Sequence, residues 1–164
     1  MEFLKSNISE EWMDLVEEFP QIFLELSPLV ESRLVDYPKI YTNRDELSNL
    51  RFGFECGVGW KSIIREFCVE ITDLIQSAKD AGHEIHYKTC IMKEKFGDLR
   101  DQGHFYGPDA ELYRQKYYDI SENMEEKSRY VCEVTGGPGI RALRGMWYKT
   151  LSPELQEQLG YHPA

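Results

Sequence analysis

The stretch "VGWKSIIREFCVEITDLIQSAKDAG" (Val58 to Gly82) decides the fold. Its apolar residues fall at Trp60, Ile63, Ile64, Phe67, Cys68, Ile71, Leu74, Ile75 and Ala78. Steps of three and four, sustained over about five turns, line one face of a helix and predict that this helix carries the core. Gly82 supplies the stop. Cys68 sits on the stripe and reads as a packing residue.

Upstream, "SEEWMDLVEEFPQIFLELSP" (9–28) repeats the pattern through Trp12, Leu15, Val16, Phe19, Ile22, Phe23 and Leu26. Ser9 is positioned to cap it, and Glu10 and Glu11 occupy the electrostatically favoured first turn. Pro20 predicts a kink or two short helices in succession. A short helix between Pro28 and Pro38 follows, and "YPKIYTNRDELSNL" (37–50) reads as connection.

Downstream, alternation of Ile85, Tyr87, Thr89 and Ile91 with His86, Lys88, Cys90 and Met92 predicts one strand. The chain leaves it through Gly97, and "GHFYG" (103–107) is a candidate partner strand. A second long helix begins at Asp109, with Leu112, Tyr113, Tyr117, Ile120, Met124 and Val131 on its buried face. The segment "GMWYKTLSPELQEQLGY" (145–161) reads as a short strand, then a helix capped by Ser152 with Pro153 at its first position. The expectation is an α+β fold, mostly helical, with a small antiparallel hairpin or sheet, in a single domain over 1–164. Its subdivisions are an acidic helical region (1–50) and a core (51–160).

A chain of 164 residues with 41% hydrophobic content buries a core without disulfides or metal. The net charge of −10 is uneven: residues 1–50 hold 4 Lys/Arg against 11 Asp/Glu, and the remainder 15 against 18. Such acidity opposes general nucleic-acid binding and suits contact with a basic protein surface. No stretch approaches the ~20 apolar residues of a membrane span. The opening "MEFLKSNISEEW" lacks the basic start and apolar run of a signal peptide, so a cytoplasmic location in a bacterial cell is expected. Cys56, Cys68, Cys90 and Cys132 then read as reduced thiols.

Taken together, "RFGFECGVGW" (51–60), "KEKFGDLR" (93–100), "CEVTGGPG" (132–139) and "MWYKTL" (146–151) resemble an uncharacterised family of small bacterial and phage proteins. In that family a Phe-Glu-Cys-Gly segment leads into a Gly-Trp helix, a KEKFG strand follows, and the end resembles a zinc module built on CxxCG…W…TLC. This chain departs from the pattern where zinc would sit. Cys132 stands alone, Thr135 occupies the second position, and Ser152 and Leu155 occupy the downstream pair. One thiolate does not hold zinc, so no metal or other cofactor is expected. Trp147, Tyr148 and the Ser152 cap are the candidate substitutes for the metal crosslink.

Other constellations carry less. "GGPGIRALRG" (136–145) lacks the Gly-Lys-Ser/Thr of a phosphate loop, although Arg141 and Arg144 suit an anion. Glu55 and Cys56 precede the long helix, where a thiol becomes reactive if its pKa falls and a histidine stands near. Glu94 and Asp98 are two carboxylates of the kind a nuclease uses for magnesium. His83 and His86 flank a strand start, where residues three apart point to opposite faces. No coherent catalytic set emerges. The reading that follows is a non-enzymatic acidic binding protein from a phage or mobile element, of the anti-defence or immunity type. It would cover a partner protein's basic surface with Glu10, Glu11, Asp14, Glu17 and Glu18, with no direct contact to nucleic acid or membrane. The alternatives are a small hydrolase or nuclease on Glu55/Cys56 or Glu94/Asp98, and a degenerate zinc module reading nucleic acid through Arg141, Arg144, Trp147 and Lys149.

Overall fold

The structure, a computed structural model, describes residues 10–23, 54–89 and 92–164. Ser9, Leu26, the Pro28–Pro38 segment, the 37–50 connection and Cys90 lie outside the described residues. Helix α1 (Glu10–Glu18) leads to a turn, and α2 (Lys61–Asp80) follows a 3-10 turn at Val58–Trp60. Strands β1 (His86–Lys88), β2 (Met92–Lys95), β3 (Asp98–Asp101) and β4 (His104–Tyr106) precede α3 (Ala110–Ser128). The chain ends with β5 (Ile140–Arg144), β6 (Trp147–Leu151), α4 (Pro153–Leu159) and β7 (His162–Pro163). The fold is α+β, with small antiparallel sheets beside helices.

The stripe on α2 is the centre of the core, as its spacing predicts. Ile63, Ile64, Phe67, Cys68, Ile71, Leu74 and Ala78 are all buried. Helix α1 contributes Trp12, Leu15 and Val16, and Ile22 and Phe23 in the turn beyond Pro20 are fully buried. Trp12 stacks on Phe54 at 4.0 Å, which ties α1 to the segment entering α2.

On α3 the inward positions are Ala110, Tyr117, Met124 and Ser128, with Tyr113 and Ile120 half-buried. Leu112 is 68% exposed, contrary to its expected place on the buried face. Two positions beyond Ala110 is roughly 200° around a helix, the solvent side once Ala110 points in. Ser128 is buried although it is not part of the apolar pattern, and its hydroxyl accepts from the Leu99 amide at 2.9 Å.

The expected strand over 85–92 is two strands with different partners. β1 pairs antiparallel with β4 in the register His86↔Tyr106, so "GHFYG" does serve as a partner strand. β2 pairs with β3 through a two-residue turn at Phe96–Gly97. The alternation fails at Lys88, which is buried together with its neighbours Tyr87 and Thr89, while the Thr89 amide donates to Ile22 C=O at 3.0 Å. At the C-terminus β5 is flanked by β6 and β7. Helix α4 starts as read: Ser152 caps it, Pro153 is its first residue, and Gly160 closes it at φ +70°.

A candidate site where four sequence motifs meet

The four motifs are spread over about a hundred residues of sequence but meet in one junction. Gly57 and Gly59 precede α2 because backbone lies against them. A Cβ on Gly57 would stand 2.1 Å from Glu133 O, and one on Gly59 2.3 Å from Cys132 O and 2.6 Å from Gly136 N. The Gly59 amide donates to Glu133 O at 2.8 Å, and the buried Trp60 indole to Val131 O at 2.7 Å. Glu55 extends the edge of β2, its amide donating to Met92 O and its carbonyl accepting from the Glu94 amide. From the other side the buried Thr150 hydroxyl donates to Gly97 O at 2.6 Å, and the Glu133 amide donates to Thr150 O.

Inside the junction Lys149 faces two carboxylates, at 2.5 Å from Glu133 Oε1 and 3.6 Å from Glu94 Oε2. Glu133 is buried, its Oε2 has no hydrogen-bond partner among the described residues, and burial outweighs Lys149 and raises its pKa. Burial alone would lower the pKa of Lys149; Glu133 and Glu94 override it and hold the ammonium charged. Burial, seconded by Glu133, pushes the Cys56 thiol up to about 12. A thiol that stays protonated is a poor nucleophile. The imidazoles also sit elsewhere: His83 bonds Tyr113, His86 bonds Glu84, His104 stacks on Tyr106, and His162 belongs to β7.

Glu94 and Asp98 part company. Register pairs Glu94 with Leu99 and Asp98 with Lys95, so alternation sends the two carboxylates to opposite faces of the hairpin. Glu94 accepts from the Gly97 amide and faces Lys149, whereas buried Asp98 faces Arg100 and Arg129. They do not share a cation. Among the described residues no three His, Cys, Asp or Glu side chains are grouped to hold a metal ion.

The knuckle positions converge. Cys132 is fully buried with Ala142, Leu151 and Tyr161, and Leu155 packs against them. Burial opposes ionisation of Cys132, yet the Thr135 hydroxyl and the amides of Thr135, Val134 and Ser152 override it and lower the thiol's pKa. That is a nest of donors around one sulfur, with an alkyl group closing it and hydroxyls at Thr135 and Ser152. This set does not fit zinc, which takes thiolate or imidazole. Of the expected substitutes the Ser152 cap is in place, but Trp147 is 74% exposed and fills nothing, while Leu151, Leu155 and Tyr161 do the filling.

Of the acidic residues expected at the partner contact, Asp14 and Glu18 are exposed but already paired within the chain. Asp14 pairs with Lys61 and Arg65, and Glu18 with Arg65 at 2.8 Å. Glu10, Glu11 and Glu17 remain exposed on α1 without an ion pair among the described residues. Arg141 lies over the Tyr148 ring, and Arg144 lies over Tyr161 and donates to Leu159 O. Periodicity does not single out Asp101. It accepts from Tyr87 (2.6 Å), Tyr117 (2.9 Å) and the Gly103 amide (2.7 Å), and burial pushes its carboxyl up to about 6.

No protein-family model, curated protein or solved structure matches this chain. No helix among the described residues is long and apolar enough to cross a membrane.

Proposed function

We propose that the protein is a non-enzymatic binding protein that covers the basic surface of a partner protein, in the manner of a phage-encoded anti-defence or immunity protein. One observation carries the reading: Glu10, Glu11 and Glu17 stand exposed on a helix already fixed in place. Burial of Trp12, Leu15 and Val16 and the Trp12–Phe54 stack hold α1 in place, and the Asp14 and Glu18 pairs to Lys61 and Arg65 link it to α2. Charges presented on a rigid helix meet a partner with less ordering cost than charges on a loose segment. The hydrolase reading lacks comparable support, since the Cys56 thiol is held protonated and Glu94 and Asp98 face apart.

The test starts with a partner captured from the native host and identified by mass spectrometry. Its association is then titrated with the wild type and with E10K/E11K/E17K at two ionic strengths. The variant should fold normally, because all three side chains are exposed and exposed charges contribute little to stability. Its on-rate should fall by about tenfold at low salt, with a smaller loss at high salt. Affinity indifferent to both salt and reversal would place the contact elsewhere.

A further inference from the structure

Overall acidity hides a local exception. Residues 134–153 contain Arg141, Arg144 and Lys149 and no Asp or Glu. Lys149 is consumed by Glu133 and Glu94, and Arg144 turns to Tyr161, but Arg141 is different. Alternation along the β5–β6 hairpin puts Arg141, Leu143, Tyr148 and Thr150 on one face and Ala142, Arg144, Trp147 and Lys149 on the other. The first face receives the Phe96–Gly97 turn, fixed there by the Thr150 bond to Gly97 O.

That turn is unusual. Phe96 has φ +54°, the one positive value outside glycine among the described residues, and Gly97 follows at +86°. Two positive φ values suit a tight hairpin, but a phenylalanine there is strained where asparagine or glycine is not. The strain is not offset by burial, since Phe96 is 58% exposed. It stands edge-on to Tyr148 at 6.4 Å, the Arg141 guanidinium covers Tyr148 at 4.8 Å, and the Lys95 ammonium lies 5.8 Å from the Phe96 ring. Lys93 shares Lys95's face of β2, and neither they nor Arg141 has a carboxylate partner among the described residues.

We propose that this face binds single-stranded nucleic acid, with Phe96 as the stacking platform for a base and Arg141, Lys95 and Lys93 meeting the phosphates. A strained, exposed ring bordered by unpaired cations matches the two requirements of a single-strand groove, π-faces for bases and positive charge for the backbone. An acidic peptide would satisfy the cations and leave the ring idle, which is why nucleic acid is favoured. The surface is distinct from the acidic face of α1.

The probe is a fluorescein-labelled ten-nucleotide oligothymidine, titrated by anisotropy from 25 to 150 mM NaCl, with a ten-residue oligoglutamate as the control ligand. About three phosphate contacts should weaken binding by about 40-fold across that range. Phe96→Gly relieves the strained φ, so the fold should be retained or stabilised while affinity drops by at least about fivefold. Arg141→Gln should lower the salt slope by about 0.7. The Trp147→Ala variant, altered on the opposite face, should bind within about twofold of wild type. No binding at 25 mM NaCl, unchanged affinity in Phe96→Gly, or oligoglutamate binding as tight as the oligonucleotide would each overturn the proposal.

Discussion

The helical half and the C-terminal module are held together by different physics. Around α2 the core is continuous and apolar, from Trp12 and Phe23 through Phe67 and Ile71 to Met124. The module from Cys132 onward buries a small cluster, Cys132, Ala142, Leu151 and Tyr161. Area alone does not fix so small a cluster. It is fixed instead by backbone approach at Gly57 and Gly59, by the Thr150–Gly97 and Glu133–Thr150 bonds, and by the Ser152 cap. The first half should therefore respond to lost volume, and the second to lost fit.

The largest effect belongs to the helical core. Phe67→Ala deletes a buried ring that meets Tyr87 edge-on at 5.6 Å, and should destabilise by about 3–5 kcal/mol in denaturant melts. A change below about 1 kcal/mol would mean that this stripe is not the centre of the core.

Next comes Asp101, where the core becomes polar. Burial raises its folded pKa to about 6, above the ordinary aspartate value of about 4, so the folded state prefers the protonated carboxyl. The contribution is therefore complete below about pH 4 and is lost as pH rises through about 6. The shift corresponds to about 3 kcal/mol. Asp14 shifts the other way, its pKa lowered chiefly by the Lys61 hydrogen bond, so its contribution is lost as pH falls. Comparing wild type with Asp101→Asn isolates the first group. The stability difference between pH 4 and pH 7 should shrink in the variant, and equal pH profiles would refute the assignment.

These two halves also differ in how far the sequence discloses them. The α2 stripe was legible because burial there follows a single period, and Ser152-Pro153 was legible because capping is local chemistry. Leu112 and the 85–92 segment misled because tertiary contacts chose the face and the break: Ala110 turned inward, and Lys88 and Thr89 were buried together. The site was legible as four motifs, but neither their meeting nor the roles of Glu133 and Lys149 follow from spacing. Those arise from contacts such as Gly59 against Cys132, which no local pattern records. Trp147 shows the opposite error, since a large aromatic read as filler stands in solvent.

A smaller expected effect sharpens the contrast. Gly59→Ala adds one methyl against the backbone of Cys132, Glu133 and Gly136, where no flexible side chain can yield. The cost should be about 1–3 kcal/mol. It should appear locally, as faster hydrogen exchange at Glu133, Gly136 and Gly139 with α2 amides still protected. Uniform loss of protection over both halves would show that they unfold as one unit.

The smallest expected effect is none at all, and it concerns metal. If the module were held by zinc, a chelator would unfold it, because metal binding and folding are one event in such modules. Cys132 keeps the surroundings a metal thiolate would use, with donors from Thr135, Val134 and Ser152 around its sulfur. Its neighbours do not complete a ligand set, since Leu155 offers only carbon and packs on the same cluster. Dialysis against EDTA should therefore leave the melting temperature unchanged, and elemental analysis should find well under one zinc per chain. Cys132→Ala supplies the second arm. A small hydrophobe in that pocket loses the donors' acceptor but keeps most of the packing, so a cost of about 1–3 kcal/mol is expected, with or without EDTA. Stoichiometric zinc that Cys132→Ala abolishes would mean that ligands outside this cluster reach the thiol, and the module would then be metal-held after all.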